Sequence, residues 1–191
     1  MFYDLSEKIY RWLKREKDFR RVYIDELEVP SGARILEVSV GTGANLRYFP
    51  SSIAFFGLDL SWGMLRQGRK NLRKSNRTAQ LFHAEAEHLP FREDVFDVVF
   101  HVGGINFFND KVGAIKEMIR VARPGTKIVI VDETEKVVKE QYEKTPLIAK
   151  YFKKRPEAVT DPTLLVPGDM REVSCKQIVD GKAYCLTFRM P

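Results

Sequence analysis

Residues 33–46 read ARILEVSVGTGANL, an apolar run rich in β-branched side chains that breaks into Gly41-Thr42-Gly43. Such a run has the character of a buried strand, and two glycines one residue apart directly after it mark a strand-to-helix turn that carries little side-chain bulk. In an open parallel sheet, ligands sit beyond the carboxyl ends of the strands, and main chain approaches them only where side chains are missing. The next apolar run, IAFFGLDL (53–60), ends in Asp59, 18 residues after Gly41. A carboxylate at that place accepts hydrogen bonds from both vicinal hydroxyls of a ribose. Together the glycines and the acid point to a nucleoside-containing ligand. A dinucleotide fingerprint would need a third glycine where Leu46 stands, and a phosphate-cradling loop would need a GK[ST] that does not follow.

Outward from this stretch, strands and helices alternate. AQLFHA (79–84), VFDVVFHV (95–102) and KIVIVDE (127–133) join the first two runs as short apolar strands. WGMLRQGRKNLRK (62–74) and DKVGAIKEMIRVA (110–122) carry apolar residues at helical spacing, with Asn109-Asp110 as caps for the second and Pro124-Gly125 as its stop. That order builds parallel βαβ units. VSCKQIV and KAYCLTFRM flank Asp180-Gly181, a hairpin signal, so the sheet is expected to finish with an antiparallel pair. Residues 134–155 read as helical and basic, and 160–169 as loop. Residues 1–28 read as one or two helices forming a cap or lid ahead of a core over 33–191.

A chain of 191 residues with 44% hydrophobic content suffices for one sizeable core, so a single domain is expected. The N-terminal stretch mixes charges into its apolar positions, unlike a signal peptide, and a cytoplasmic protein is expected. Cys175 and Cys185 match no metal-site spacing and read as free thiols, so no metal is expected. A three-residue hairpin loop would set the two opposite each other, in reach of a disulfide under oxidation. The net charge of +6 gathers in 14–21, 66–77 and 150–155. In the first two runs apolar residues recur at helical spacing, which makes the charges the solvated face of an amphipathic helix with a general attraction for anions.

ILEVSVGTGANL, GLDLSWGML, HAEAEHLPFREDVFDVVF and VARPGTKIVIVDE, in that order, resemble the successive motifs of class I S-adenosylmethionine-dependent methyltransferases, in the branch that includes quinone-biosynthesis enzymes. The match covers roughly residues 33–133. GTGANLRYFP also resembles a subset with phospholipid N-methyltransferases and small-molecule thiol methyltransferases. The resemblance implies an α/β, Rossmann-like doubly wound, mostly parallel sheet of seven strands with an antiparallel hairpin at the C-terminal end. It implies S-adenosylmethionine as cofactor and S-adenosylhomocysteine as product. Glu37, Gly41 and Gly43 would line the methionine part, Asp59 would hold the ribose, and Leu60 and Met64 would pack on the adenine. Glu85 would accept from the adenine amine and the Ala86 N–H would donate to a ring nitrogen. His101 falls where family members bring backbone near the transferring methyl. Ser39 departs from the pattern, standing where the family has the first glycine of its G-x-G-x-G.

The chemistry of such a donor asks for a nucleophile held in line and stripped of water, effects of roughly 7–11 kcal/mol when orientation is good. Where the acceptor must lose a proton, His101 is the candidate base, with Tyr3, Tyr10 and Asn106 as orienting groups. The stretch HVGGINFF lacks both the NPPY-type tetrapeptide of amino-directed DNA methyltransferases and the cysteine nucleophile of C5-pyrimidine enzymes. GGINFFND resembles the corresponding stretch of small-molecule methyltransferases instead, implying a small or lipid-like acceptor in an apolar pocket, and the basic helices suit an acceptor on an anionic membrane surface. Three classes stay open from the sequence: an active small-molecule methyltransferase, an RNA methyltransferase using the basic runs, and a cofactor-binding or interaction protein without catalysis.

Overall fold

The structure, a computed structural model, describes residues 19–139 and 161–191. Seven strands form one sheet: β1 (Arg34–Val38), β2 (Ala54–Asp59), β3 (Gln80–His83), β4 (Val98–Val102), β5 (Lys127–Glu133), β6 (Arg171–Ile178) and β7 (Ala183–Arg189). Their order is β3-β2-β1-β4-β5-β7-β6. β1 to β5 pair in parallel, whereas β7 runs antiparallel between β5 and β6. The parallel strands are covered on both sides, which is why they read as near-continuous apolar runs rather than alternating ones. β6, at the edge, is mostly exposed and carries Arg171, Glu172 and Lys176, charges that discourage pairing with another chain.

Four helices are described: α1 (Phe19–Ile24), α2 (Trp62–Lys74), α3 (Lys111–Val121) and α4 (Glu135–Val138). Tyr23 of α1 and Leu65 and Leu72 of α2 pack with Ile35, Phe55 and Phe100 on one face of the sheet. Ala114, Ile115, Met118 and Val121 of α3 pack with Val99, Ile128 and Phe96 on the other. The sheet is thus wound on both faces, as expected. α2 starts where the Ser61 hydroxyl accepts from the Met64 N–H at 3.3 Å. α3 starts where Asp110 Oδ1 accepts from the Gly113 N–H at 2.8 Å. Both are side-chain caps for otherwise orphaned helix donors.

The chain leaves β1 for β2 on one side and pairs β1 with β4 on the other, so the direction of winding reverses between β1 and β4. Ligands bind at such a switch point, outside the carboxyl ends of the strands. The β1–β2 connection holds only a 3-10 turn, Leu46–Tyr48, in place of a full crossover helix. It folds tightly onto β2, because a Cβ at Gly57 would stand 2.7 Å from Val40 Cγ2. No helix among the described residues is long and apolar enough to cross a membrane.

The hairpin corrects the cysteine expectation. Ile178 pairs with Ala183, leaving a four-residue loop, and Cys175 pairs with Leu186 while Cys185 pairs with Lys176. Neighbouring register positions point to opposite faces, so the two thiols cannot meet. Cys175 is exposed and Cys185 buried, both free, and burial pushes the Cys185 thiol up to about 12. Within the segment expected as loop, Pro162–Leu165 forms a 3-10 turn capped by Asp161, whose Oδ1 accepts from the Thr163 N–H at 2.9 Å. α4 falls at the start of the basic segment expected as helical over 134–155; the rest of that segment from 140 on, and residues 1–18 of the expected cap, lie outside the described residues.

Candidate functional site

The carboxyl ends of β1 and β2 are tied together by one side chain. Asp59 Oδ2 accepts from the Gly41 N–H at 2.9 Å, and its Oδ1 accepts from the Ser61 N–H at 2.8 Å. Burial raises the Asp59 pKa above the ordinary aspartate value, opposed by the Ser61 and Gly41 hydrogen bonds. An ionised carboxylate has about four lone-pair positions, so two remain for a further partner. Gly41 and Gly43 adopt φ of +55° and +73°, the left-handed region glycine enters without steric cost, and a Cβ on either would meet no atom within 4 Å. Bare main chain therefore borders open space here.

Ser39 holds φ of +61° without being glycine. A side chain in that region costs roughly 1–2 kcal/mol. The turn thus keeps the backbone path that a glycine would follow, at a local strain that glycine would not carry.

Below the turn lies a buried polar chain that the sequence reading did not foresee. Glu37 Oε1 accepts from Asn45 Nδ2 at 2.6 Å, and Asn45 Oδ1 accepts from the Tyr23 hydroxyl at 2.8 Å and from the Arg20 guanidinium. Arg20 also donates to the Tyr23 hydroxyl at 3.0 Å. The chain docks α1 onto the glycine turn. Glu37 Oε2 is buried with no hydrogen-bond partner. Burial is the main cause that lifts the Glu37 carboxyl to about 8, against the lowering effect of Asn45 and Arg20.

Beyond Asp59 the surface turns apolar and exposed. Leu60 and Trp62 keep 64% and 56% of their surface in solvent, an unusual pair of large apolar side chains to leave open beside a carboxylate. The His83 ring stacks on Trp62 at 4.5 Å between centroids and donates through Nε2 to the Leu60 carbonyl at 2.8 Å. Met64 is half-buried on α2 nearby. The turn after β3 brings Ala86, buried, and Glu85, exposed with His88 Nδ1 3.7 Å from its Oε2. Glu87 of the same turn accepts from the Asn109 N–H at 3.0 Å, which joins it to the start of α3.

The structure divides the expected methionine-side residues between the two faces of the sheet. Glu37 is paired with Phe100 in register and points to the α1 and α2 side, whereas His101 is paired with Val38 and points to the α3 side. Asn106 is buried and its amide donates to the Glu133 carbonyl at 3.2 Å, while its N–H donates to Asp132 Oδ2 at 3.1 Å. Tyr3 and Tyr10 lie outside the described residues. Asn45 stood inside the opening stretch and its role was readable only from the fold; Asp132 and Tyr184, at the C-terminal end of β5 and the start of β7, carried no sequence signal. No cluster of metal-binding side chains occurs among the described residues. A shallow concavity lined by Leu46, Ile53 and Arg77 lies at the opposite, N-terminal end of β2 and β3, away from these groups.

These groups fit an adenosyl ligand with an amino-acid tail. Free lone pairs on Asp59 match vicinal hydroxyls, the exposed Leu60 and Trp62 match a flat base, and bare main chain with an orphaned buried carboxyl oxygen matches a polar tail.

Comparison with known proteins agrees. A family model described as a methyltransferase domain matches residues 36–130. The demethylmenaquinone methyltransferase of Shouchella clausii is 30% identical over 182 residues, covering 87% of this chain and 77% of that protein. The ubiquinone/menaquinone biosynthesis C-methyltransferase UbiE of Geobacter sulfurreducens is 32% identical over 144 residues, covering 69% of this chain and 56% of that protein. The chain thus spans little more than half the length of that second relative. A SAM-dependent methyltransferase from Aquifex aeolicus shares the fold, with a TM-score of 0.63 at 14% identity over 91% of this chain and 90% of that one.

The Glu37 carboxyl generates a stability prediction. Its folded pKa stands above the ordinary glutamate value of 4.5, so between about 4.5 and about 8 the folded state holds a proton that the unfolded state has lost. Stability then falls as pH rises through that window, by up to about 1.4 kcal/mol per pH unit from this group. Urea unfolding of Glu37→Gln, measured across the same window, is expected to lose that component; an unchanged slope would contradict it.

Proposed function

The chain belongs to the class I S-adenosylmethionine-dependent methyltransferases of the quinone-biosynthesis branch, and from that premise we propose that it methylates a small, lipid-like acceptor with a ring system related to quinols. The observation that carries this is the Asp59 carboxylate anchored to bare glycine main chain at the switch point of the sheet. Support for the acceptor class comes from the relatives, a demethylmenaquinone methyltransferase and a ubiquinone/menaquinone biosynthesis C-methyltransferase.

Asp59 holds the ribose hydroxyls, and the main chain of Gly41 and Gly43 lies along the amino-acid tail, with Glu37 near its amino end. Leu60, Met64 and Trp62 cover the adenine, Trp62 being stiffened by His83, while Glu85 and the Ala86 N–H read its polar edge. The bound cofactor supplies a methyl group already activated on a sulfonium. The protein then has to orient the acceptor and exclude water, which a low-dielectric crevice does. Residues 1–191 act as one methyltransferase domain in this scheme.

A cytoplasmic protein drawing a lipid-like acceptor from a bilayer needs a surface that meets anionic headgroups. On α2, Arg66, Arg69, Lys70, Arg73 and Lys74 form such a surface, with no acidic residue in its first turn and no ion pair to them among the described residues. Flotation with phosphatidylglycerol vesicles is expected to carry the protein upward at low salt and release it at high salt, because polybasic attraction is screened. Equal flotation with neutral vesicles would contradict a role for these charges.

Cofactor binding is tested by thermal unfolding. S-adenosylmethionine at about 100 times its Kd is expected to add about 2.7 kcal/mol of stability to the wild type. Asp59→Ala is expected to lose most of that shift. An equal shift in both proteins would refute the ribose assignment.

A further inference from the structure

His101 ends its run on the α3 face of the sheet with its ring wholly buried. Its Nδ1 lies 3.0 Å from the Val38 carbonyl oxygen. A carbonyl oxygen only accepts, so Nδ1 carries the hydrogen, and Nε2 of the neutral ring is a bare lone pair. No hydrogen-bond partner reaches that Nε2. Burial holds the ring pKa below the ordinary histidine value, opposed by the charge of Asp132 and the Val38 hydrogen bond, which keeps the ring neutral near pH 7.

A second orphan stands on the same face. The Tyr184 hydroxyl is buried without a partner. Tyr184 pairs directly with Asp132, and His101 pairs with Ile130, two residues before Asp132 on β5. Register partners share a face, so His101, Asp132 and Tyr184 lie on one side of three adjacent strands, with the acid on the strand between. Asp132 is itself engaged by main chain, its Oδ1 accepting from Gly104 at 3.2 Å and Glu133 at 2.8 Å, and its Oδ2 from Asn106 at 3.1 Å. It supplies negative charge to this face while its lone pairs are mostly filled. Gly103 and Gly104, directly after the strand that carries His101, border open space: a Cβ on either would meet no atom within 4 Å.

Buried polar atoms without partners are rare in folded proteins, and two on one face beside open space call for an occupant. We infer that this occupant is the methyl acceptor, with His101 Nε2 as the base that removes a proton from an aromatic hydroxyl and Tyr184 as the positioning residue for a second polar atom of the same molecule. Both roles rest on the methyl transfer proposed above. The acceptor O–H bond breaks, its proton goes to Nε2, and the electron pair stays on the oxygen and spreads into the ring position that takes the methyl; the methyl parts from its sulfur, which keeps the bonding pair, and the hydrogen on the methylated ring carbon leaves as a proton that returns to the oxygen, restoring the aromatic ring. The resulting imidazolium sits in the field of Asp132, and its proton passes to water after product leaves. An aromatic hydroxyl, with a pKa near the value of about 10 for tyrosine, is within reach of an imidazole base in a way that an aliphatic alcohol is not. Phe108, its ring edge-on to His101 at 5.2 Å, gives the occupant an aromatic wall. Among the described residues, Asp132 from β5 is the charge that acts on the ring, and Val38 from β1 offers its carbonyl.

The test has a spectral arm and a turnover arm. With S-adenosylhomocysteine present, p-nitrophenol followed by its visible phenolate band is expected to ionise at lower pH when bound to wild type than when bound to His101→Gln. Tyr184→Phe is expected to bind it about tenfold more weakly, the loss of one hydrogen bond. With 1,4-naphthohydroquinone and labelled S-adenosylmethionine, His101→Gln is expected to turn over about 10²-fold slower at neutral pH and to recover as pH rises, where wild type is flat. Tyr184→Phe is expected to raise KM for that acceptor and leave kcat nearly unchanged. Both variants are expected to keep the thermal shift from S-adenosylmethionine, which shows that they fold. A wild type without that shift overturns the methyl-transfer function and these roles with it. A shifted His101→Gln that ionises p-nitrophenol as wild type does overturns these roles alone.

Discussion

The hydrogen bond from the Gly41 N–H to Asp59 Oδ2 fixes the relation between the two strand ends on which the site depends. The carboxylate is partly desolvated, and the Gly41 and Ser61 N–H groups are what favour its charged form there. That bond requires main chain to come within reach of the carboxylate, which in turn requires the left-handed path through Ser39, Gly41 and Gly43. The absence of a Cβ at Gly57 lets Val40 lie flat on β2, so the turn is held from below as well. Sheet packing, turn conformation and the charge state of one acid are therefore parts of one arrangement.

The sheet separates two tasks. On the α1 and α2 face, Glu37, Asn45, Tyr23 and Arg20 form a buried polar chain that positions the glycine turn and docks the helix before β1. On the α3 face, His101 and Tyr184 present unpartnered atoms near Asp132. In the proposed scheme cofactor and acceptor are served from opposite sides of the same strand ends, with His101 on one face and the Glu37 carboxyl on the other.

Much of this was legible in the sequence where local physics decides. α2 occupies 62–74 as its apolar stripe required, because Leu65 and Leu72 must share a face and Ser61 is placed to cap. The strand expected over 95–102 is shorter, Val98–Val102, because Phe96 leaves the ladder to bridge Ala122 after α3. What stayed hidden depended on distant contacts or on loop length. Nothing near Asn45 in sequence announces Tyr23 or Glu37 as partners, and Tyr184 looks like one more aromatic in a hairpin strand. The cysteines failed to meet because the hairpin loop has four residues rather than three, and one residue of register reverses a side chain. Ser39 was visible as a departure from the glycine pattern, yet only the backbone revealed that it takes the glycine conformation all the same.

The most direct measurement is a crystal structure of the protein soaked with S-adenosylhomocysteine. The ribose hydroxyls are expected within hydrogen-bonding distance of the Asp59 carboxylate, the base against Leu60 and Trp62, and the amino-acid tail along Gly41 and Gly43. Ligand density elsewhere on the chain, or a crevice that stays empty at saturating ligand, would contradict the account.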